Sequence, residues 1–214
     1  MHQIVERVNM SNSNPHALKY AQDDDEIFEV MEPPPHDFNM FLDKPLSTGL
    51  RKVRHLVHKD QDWHRSVHVW IVDKNRKVVV MQKRSPEKDT FPNRWDISSA
   101  GHIEFGVESR ETAIREVAEE LGIQCSSDEL KFGFTCPAQQ APLGCNCYED
   151  VYFLLRGEED CKFAIGEAEV SEVKWVAIDL LKKVLEDGNS NYVPRVESYR
   201  AAFFKLLETI CSNR

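Results

Sequence analysis

The sequence predicts an α/β sandwich. Three observations carry this: strand-like period-2 alternation after His64, one amphipathic helix bracketed by strands, and two helical segments at the end of the chain. The 214 residues suit one domain with an appendage, at about 100–200 residues per domain. A chain of this size buries roughly 70 % of its unfolded surface and needs no covalent staple.

Taken in order, Ile27 to Val30 reads as a short edge strand. It follows the acidic run Asp23-Asp24-Asp25-Glu26 and precedes Pro33-Pro34-Pro35, which no helix interior or central strand accepts. Val67, Val69 and Ile71 alternate with His68, Trp70 and Val72 as a strand. Asp73-Lys74-Asn75 turns the chain, and Val78 to Met81 completes a hairpin. Phe91 to Trp95 reads as a loop, and Asp96 to Ala100 as a short strand ending at Gly101. Glu108 to Leu121 is helical, with Ala113, Ile114, Val117, Ala118 and Leu121 on one face and Gly122 placed to stop it. Strands follow near 131–136, 148–156 and 173–178. Asp179 to Asp187 is a short helix ending at Gly188. The last helix is predicted to start near Pro194, with Val196, Tyr199, Phe203, Leu206, Leu207 and Ile210 as its apolar stripe.

Composition narrows the function. The net charge is −9, from 27 Lys plus Arg against 36 Asp plus Glu, so a nucleic-acid polymer is not an expected partner. No apolar run is long enough for a transmembrane helix, and Met1 to Met10 has no apolar core of a secretory signal. Six cysteines without a signal point to reduced thiols and a cytoplasmic location. Cys145 and Cys147 form a lone C-x-C, and the sequence shows no obvious further ligands for a zinc site.

The chemistry concentrates on the predicted helix. At 100° per residue, Glu116 and Glu120 lie about 40° apart, and Glu119 lies about 60° to the other side of Glu116. Near a helix C-terminus each exposed anion costs about 0.3–1 kcal/mol against the macrodipole. Arg110 and Arg115 are this helix's only cations. The helix is therefore either a solvated acidic face or a site for a hard cation such as Mg²⁺ or Mn²⁺.

The stretch from Gly101 through Arg115-Glu116-Val117-Ala118-Glu119-Glu120-Leu121-Gly122-Ile123 resembles the Nudix box, G-x5-E-x7-R-E-U-x-E-E-x-G-U, where U is aliphatic. One position departs: Val107 stands where the box has its first glutamate, and Glu108 is one residue late. In the family that glutamate pairs with the box arginine. Glu111, at i−4 to Arg115, is the expected substitute. His58, Trp63-His64-Arg65, Gln82-Lys83-Arg84-Ser85, Phe91-Pro92, Trp95-Asp96-Ile97-Ser98 and Gly101-His102 are similar to the branch holding isopentenyl-diphosphate isomerases and their hydrolase relatives.

The resemblance, over roughly residues 51–180, implies a Nudix α/β/α sandwich with a mixed central sheet. The chain then divides into a partly disordered extension at 1–50, a Nudix domain at 51–190, and a C-terminal helix at 191–214 packed on it. The implied function is a metal-dependent hydrolase of a nucleoside-diphosphate-type or other organic diphosphate. Glu116, Glu119 and Glu120 would hold Mg²⁺ or Mn²⁺, with Arg115 beside them. Arg84, Lys88 and His102 would bind substrate. A glutamate of the box, Glu149, Glu169 or Glu172 would serve as the general base. The Trp63, Trp70 and Trp95 rings either stack a base or belong to the core.

Two alternatives stay open. An isomerase of the branch uses a cysteine before the Gly-His pair, where this chain has Ala100, and a metal site of three histidines and two glutamates, which His58, His64, His102 and Glu149 resemble. A non-catalytic Nudix ligand-binding module is supported only by Val107. The expected partner is a small-molecule diphosphate, with no membrane involved and a homodimer left open.

Overall fold

The computed structural model describes residues 5–7, 13–140 and 145–212. Most of Met1–Met10, where no secretory signal was read, lies outside the described residues. The strands are β1 (Val5–Arg7), β2 (Ile27–Met31), β3 (Ser47–Val53), β4 (His64–Asp73), β5 (Val78–Arg84), β6 (Trp95–Asp96), β7 (Ser99–His102), β8 (Leu130–Gln139), β9 (Asn146–Leu155) and β10 (Val170–Ala177). The helices are α1 (Arg54–Asp60), α2 (Ser109–Leu121), α3 (Ile178–Glu186) and α4 (Glu197–Ser212). Among the described residues no helix is long and apolar enough to cross a membrane.

The main sheet runs β1-β10-β5-β4-β9-β8, with β6 beside β5 and β7 beside β4. Strands β4 and β9 are parallel, in register from His64↔Cys147 to Val72↔Leu155. The other pairings of this sheet are antiparallel, so the sheet is mixed.

Strand β4 shows why this is a three-layer sandwich. Val67, Val69 and Ile71 pack on one face with Ala113, Val117 and Leu121 of α2. Trp70 and Val72 pack on the other with Leu181 of α3 and Phe203 and Leu207 of α4. A strand buried on both faces carries apolar side chains at successive positions. Trp70 stacks on Phe203 at a centroid distance of 4.3 Å.

Two boundaries differ from the sequence reading. Helix α4 starts at Glu197, three residues beyond Pro194. The residue before a proline is pushed out of the helical region. Here Val193 donates to the Trp95 carbonyl at 2.9 Å, and Tyr192 forms a parallel bridge with Trp95, so this stretch runs alongside β6. Strand β2, whose residues 27–30 read from sequence as a short edge strand within the 1–50 extension, pairs antiparallel with β3, which runs past residue 50 into the segment assigned to the Nudix domain. The three prolines sit in the loop between these strands. This pair is anchored by three backbone bonds at 2.7 Å: Met31 N–H to the Trp63 carbonyl, Phe105 N–H to the Ile27 carbonyl, and Arg54 N–H to the Glu26 carbonyl.

Phe203→Ala removes a fully buried ring shared by Trp70, Phe153 and Tyr199. It is expected to cost about 3–5 kcal/mol in urea unfolding, as large buried aromatics do.

Candidate functional site

Helix α2 lays its acidic face against β7. Glu116 and Glu120 are buried, and Glu119 is partly exposed. A Cβ on Gly101 would stand 2.0 Å from the Glu116 carboxyl carbon, so any larger residue there would push this carboxylate out of its present place. Glu120 Oε2 accepts from the Ala100 N–H and from Gln82 Nε2, each at 2.9 Å. Its Oε1 is buried with no hydrogen-bond partner, as is Oε1 of Glu169. Gly122 ends the helix at φ 69°, and its N–H returns to the Ala118 carbonyl. Asn14 caps the same end, its side-chain amide donating to the Ala118 and Glu119 carbonyls at 2.9 and 2.8 Å.

Burial dominates the electrostatics. It raises Glu116 well above the usual carboxylate range, with the Glu120 charge adding to it. Glu120 is pushed from 4.5 to about 7, first by burial and then by Glu169. Between those values the folded chain holds a proton the unfolded chain has lost, so this group's contribution to stability falls as pH rises through that window. A hard cation would reverse that cost, and the unpartnered oxygens of Glu120 and Glu169 offer it lone pairs. The donor set therefore fits Mg²⁺ or Mn²⁺.

Arg115 corrects one expectation. Its guanidinium pairs with Glu104 and Glu116 at 3.2 Å and with Glu119 at 3.5 Å, and Glu111 points to solvent. Burial opposes the charge, but Glu116, Glu119 and Glu104 together hold the guanidinium above its usual value. Glu104 is fixed in turn by a backbone bridge to Phe28 of β2. The loop that lacks a glutamate at Val107 is thus braced from two sides, by an ion pair and by a strand of the small sheet.

A cavity of about 480 Å³ opens beside this helix, and Arg84, Lys88, His102, Arg115, Glu116, Glu149 and Glu169 line it. Arg84 and Lys88 are therefore together, and each has an anionic partner: Asp96 at 3.3 Å for Arg84, Glu169 for Lys88. Glu172 is exposed on β10, outside the cavity lining. Glu149 is buried and raised to about 8 by desolvation, which Arg195 only partly offsets. The tryptophans lie elsewhere: Trp70 in the core, Trp63 against Tyr148, Trp95 under the Lys174 ammonium.

Two cavity cations escaped the sequence reading. Arg54 pairs with Glu26 at 3.0 Å, and the buried Arg195 pairs with Asp96 and, at 3.7 Å, with Glu149. Neither belongs to a local pattern, because their partners lie far away in sequence.

The three histidines that the sequence likens to the metal site of the isomerase branch do come together at the cavity, joined by a cysteine that the sequence reading did not place there. Donor atoms of His58, His64, His102 and Cys145 all lie within 4.8 Å of one another. Cys147 Sγ stands 3.1 Å from His64 Nε2 and 3.2 Å from Cys145 Sγ. The C-x-C therefore does have neighbouring ligands, supplied by α1, β4 and β7. Burial lowers His58, and it lowers His102 to about 3, so both rings are neutral. The Cys147 hydrogen bond holds the Cys145 thiol well below its usual value despite burial, and burial raises Cys147.

The chain belongs to the NUDIX domain family, whose pattern matches residues 62–196. Nudix hydrolase 3 of Arabidopsis thaliana is 36 % identical over 163 residues, 73 % of this chain and 21 % of that protein. A prenyl-diphosphate phosphatase of Methanosarcina mazei is 28 % identical over 171 residues, 77 % of this chain and 91 % of that protein. An isopentenyl-diphosphate delta-isomerase of Schizosaccharomyces pombe is 25 % identical over 169 residues, 71 % of this chain and 73 % of that protein. The chain thus spans 21 % of the Arabidopsis relative, and 39 % of a Clostridium acetobutylicum Nudix hydrolase. In structure, a Deinococcus radiodurans protein shares the fold at TM-score 0.56 and 18 % identity, over 88 % of this chain and all of that one.

Arg195→Ala leaves Asp96 and Glu149 buried with one cation fewer. It is expected to cost about 3–5 kcal/mol in urea unfolding. Glu111→Ala is expected to change stability by less than about 0.5 kcal/mol, because Glu111 is exposed and no ion pair among the described residues depends on it.

Proposed function

We propose that this chain is a metal-dependent diphosphohydrolase, and that Glu116, Glu119 and Glu120 hold Mg²⁺ or Mn²⁺. The observation that carries this reading is the pair of buried, unpartnered carboxylate oxygens on Glu120 and Glu169, beside two further glutamates and under a cavity lined with cations. When bound, the metal supplies neutralisation of phosphoryl charge and acidification of the attacking water. Arg84 and Lys88 exchange their present carboxylate partners for phosphate oxygens, a planar fork and a point charge respectively. His102 lines the same wall as a neutral hydrogen-bonding group.

Release of Lys88 to the phosphate leaves Glu169 free to accept the proton of the attacking water. Glu149 is a poorer base near neutral pH, since its burial keeps it protonated. The phosphatase relative supports a small organic diphosphate as substrate, and a cavity of about 480 Å³ suits one. The isomerase relatives raise the rival reaction. Isomerisation adds a proton at one carbon and removes one from another, and Ala100 on the cavity wall has no proton to exchange.

Glu120→Gln is expected to remove the rise in melting temperature that Mg²⁺ or Mn²⁺ gives the wild type, and to cut phosphate release by orders of magnitude while the circular dichroism spectrum persists. Full metal-dependent turnover in Gln variants of all three box glutamates would place the site elsewhere. Incubation with isopentenyl diphosphate is expected to yield no dimethylallyl product by mass-resolved chromatography.

Metal affinity should also depend on pH. Glu120 titrates at about 7, and a metal must displace that proton. Calorimetry is therefore expected to show tighter Mn²⁺ binding at about pH 8 than at about pH 6, with net proton release.

A further inference from the structure

We propose that Arg195 is a positioning residue for the phosphate site: by holding Asp96, it frees Arg84 to take the diphosphate. This role rests on the reading of Arg84 as a phosphate ligand, and it explains how a half-buried cation can change partners.

Asp96 is buried between two guanidinium groups. Its Oδ1 accepts from Arg195 Nη2 and from the Ile97 N–H, the latter at 2.8 Å. Its Oδ2 accepts from Arg84 Nη1 at 3.3 Å, a longer bond. Burial works against the charge of this carboxylate, but Arg195 first and Arg84 second hold its pKa below the usual value. The two cations are therefore unequal partners. When Arg84 leaves, Asp96 keeps a guanidinium and an amide. Without Arg195 that departure would strand a buried anion, which is strongly unfavourable. The other cation pair differs. Among the described ion pairs Glu169 has Lys88 alone, so release of Lys88 bares a carboxylate, whereas release of Arg84 does not.

Arg84 keeps its place through the exchange. Its Nε donates to the Thr90 carbonyl at 2.9 Å, and its Nη2 to the Thr90 hydroxyl at 3.2 Å. A guanidinium carries two N–H groups on each terminal nitrogen, so with Asp96 released both nitrogens have one for a phosphate oxygen. Arg195 is fixed from outside the site. Trp95 of β6 donates to the Asn191 carbonyl at 2.8 Å and accepts from the Val193 N–H at 2.9 Å, which holds the segment before α4 beside Asp96. Arg195 also reaches Glu149 at 3.7 Å, and its guanidinium carbon lies 5.7 Å from the Tyr199 ring centre. Two carboxylates thus retain Arg195, and it is Arg84 that the phosphate takes.

Calorimetry of the full chain with methylenediphosphonate and Mg²⁺ reads this site apart from turnover, since water does not cleave that analogue. Arg84→Ala is expected to bind it at least about tenfold more weakly than the wild type. Arg195→Met leaves Asp96 to Arg84 alone and is expected to weaken binding about tenfold. In turnover the same variant should raise KM with little change in kcat. Removing the rival charge as well, by combining Arg195→Met with Asp96→Asn, is expected to restore affinity to within about threefold of the wild type. A residue that served only the fold would give no such rescue. Asp96→Asn alone is expected to bind at least as tightly as the wild type, and it decides the matter if Arg195→Met does not fold. Unchanged affinity in Arg84→Ala or Arg195→Met overturns the proposal. So does a folded double variant as weak as Arg195→Met, weaker binding by Asp96→Asn, or a wild type that does not bind the analogue. Rescue as expected, with no phosphate release from any diphosphate, would overturn the hydrolase reading alone, so the two fail separately.

Discussion

Burial of two like-charged carboxylates at the helix–strand contact governs the rest of the molecule. Glu116 and Glu120 are both buried, and Gly101, which has no side chain, leaves the space that the Glu116 carboxylate fills. Desolvated anions on adjacent turns repel each other and oppose the helix dipole. The structure tolerates them by surrounding the cavity with cations and donors: Arg115 on one side, Lys88 beside Glu169, Gln82 and the Ala100 amide beneath Glu120. One oxygen each on Glu120 and Glu169 stays buried without a hydrogen-bond partner.

The cavity is a set of provisional ion pairs. Arg84, Lys88 and Arg195 each hold a buried or half-buried carboxylate. Such pairs repay their desolvation only partly, and under the proposed function a phosphate would compete for their cations. Substrate and metal would bring opposite charges, and binding of each would relieve the partners of the other.

The small β2–β3 sheet takes part in this arrangement. Phe28 bridges Glu104, the partner of Arg115, and also backs the His64 and His102 rings. One strand therefore braces both the acidic loop and the histidine–cysteine cluster. Val107 is tolerated because the rigidity an acidic side chain there would give comes instead from this strand and from Glu104.

Local pattern determined the strand β4, its hairpin, helix α2 and its Gly122 stop, because period and capping are properties of neighbouring residues. It also determined that Glu116, Glu119 and Glu120 share a face, since helix geometry alone fixes that angle. The resemblance added Arg84 and Lys88 as a pair beside them, and the fold does bring both to the cavity. Tertiary structure alone decided the rest. The partner of Arg115 is Glu104 and not Glu111, because a strand from residues 27–31 holds the loop within reach. Arg195 turns into the cavity because pairing beside β6 delays α4. The lone C-x-C acquires three histidines because the start of β4, the end of β7, the start of β9 and α1 converge at one end of the central strands. Contacts such as His64–Cys147 and Arg195–Asp96, 83 and 99 positions apart, leave no periodic trace, since chain closure and not local propensity brings them together.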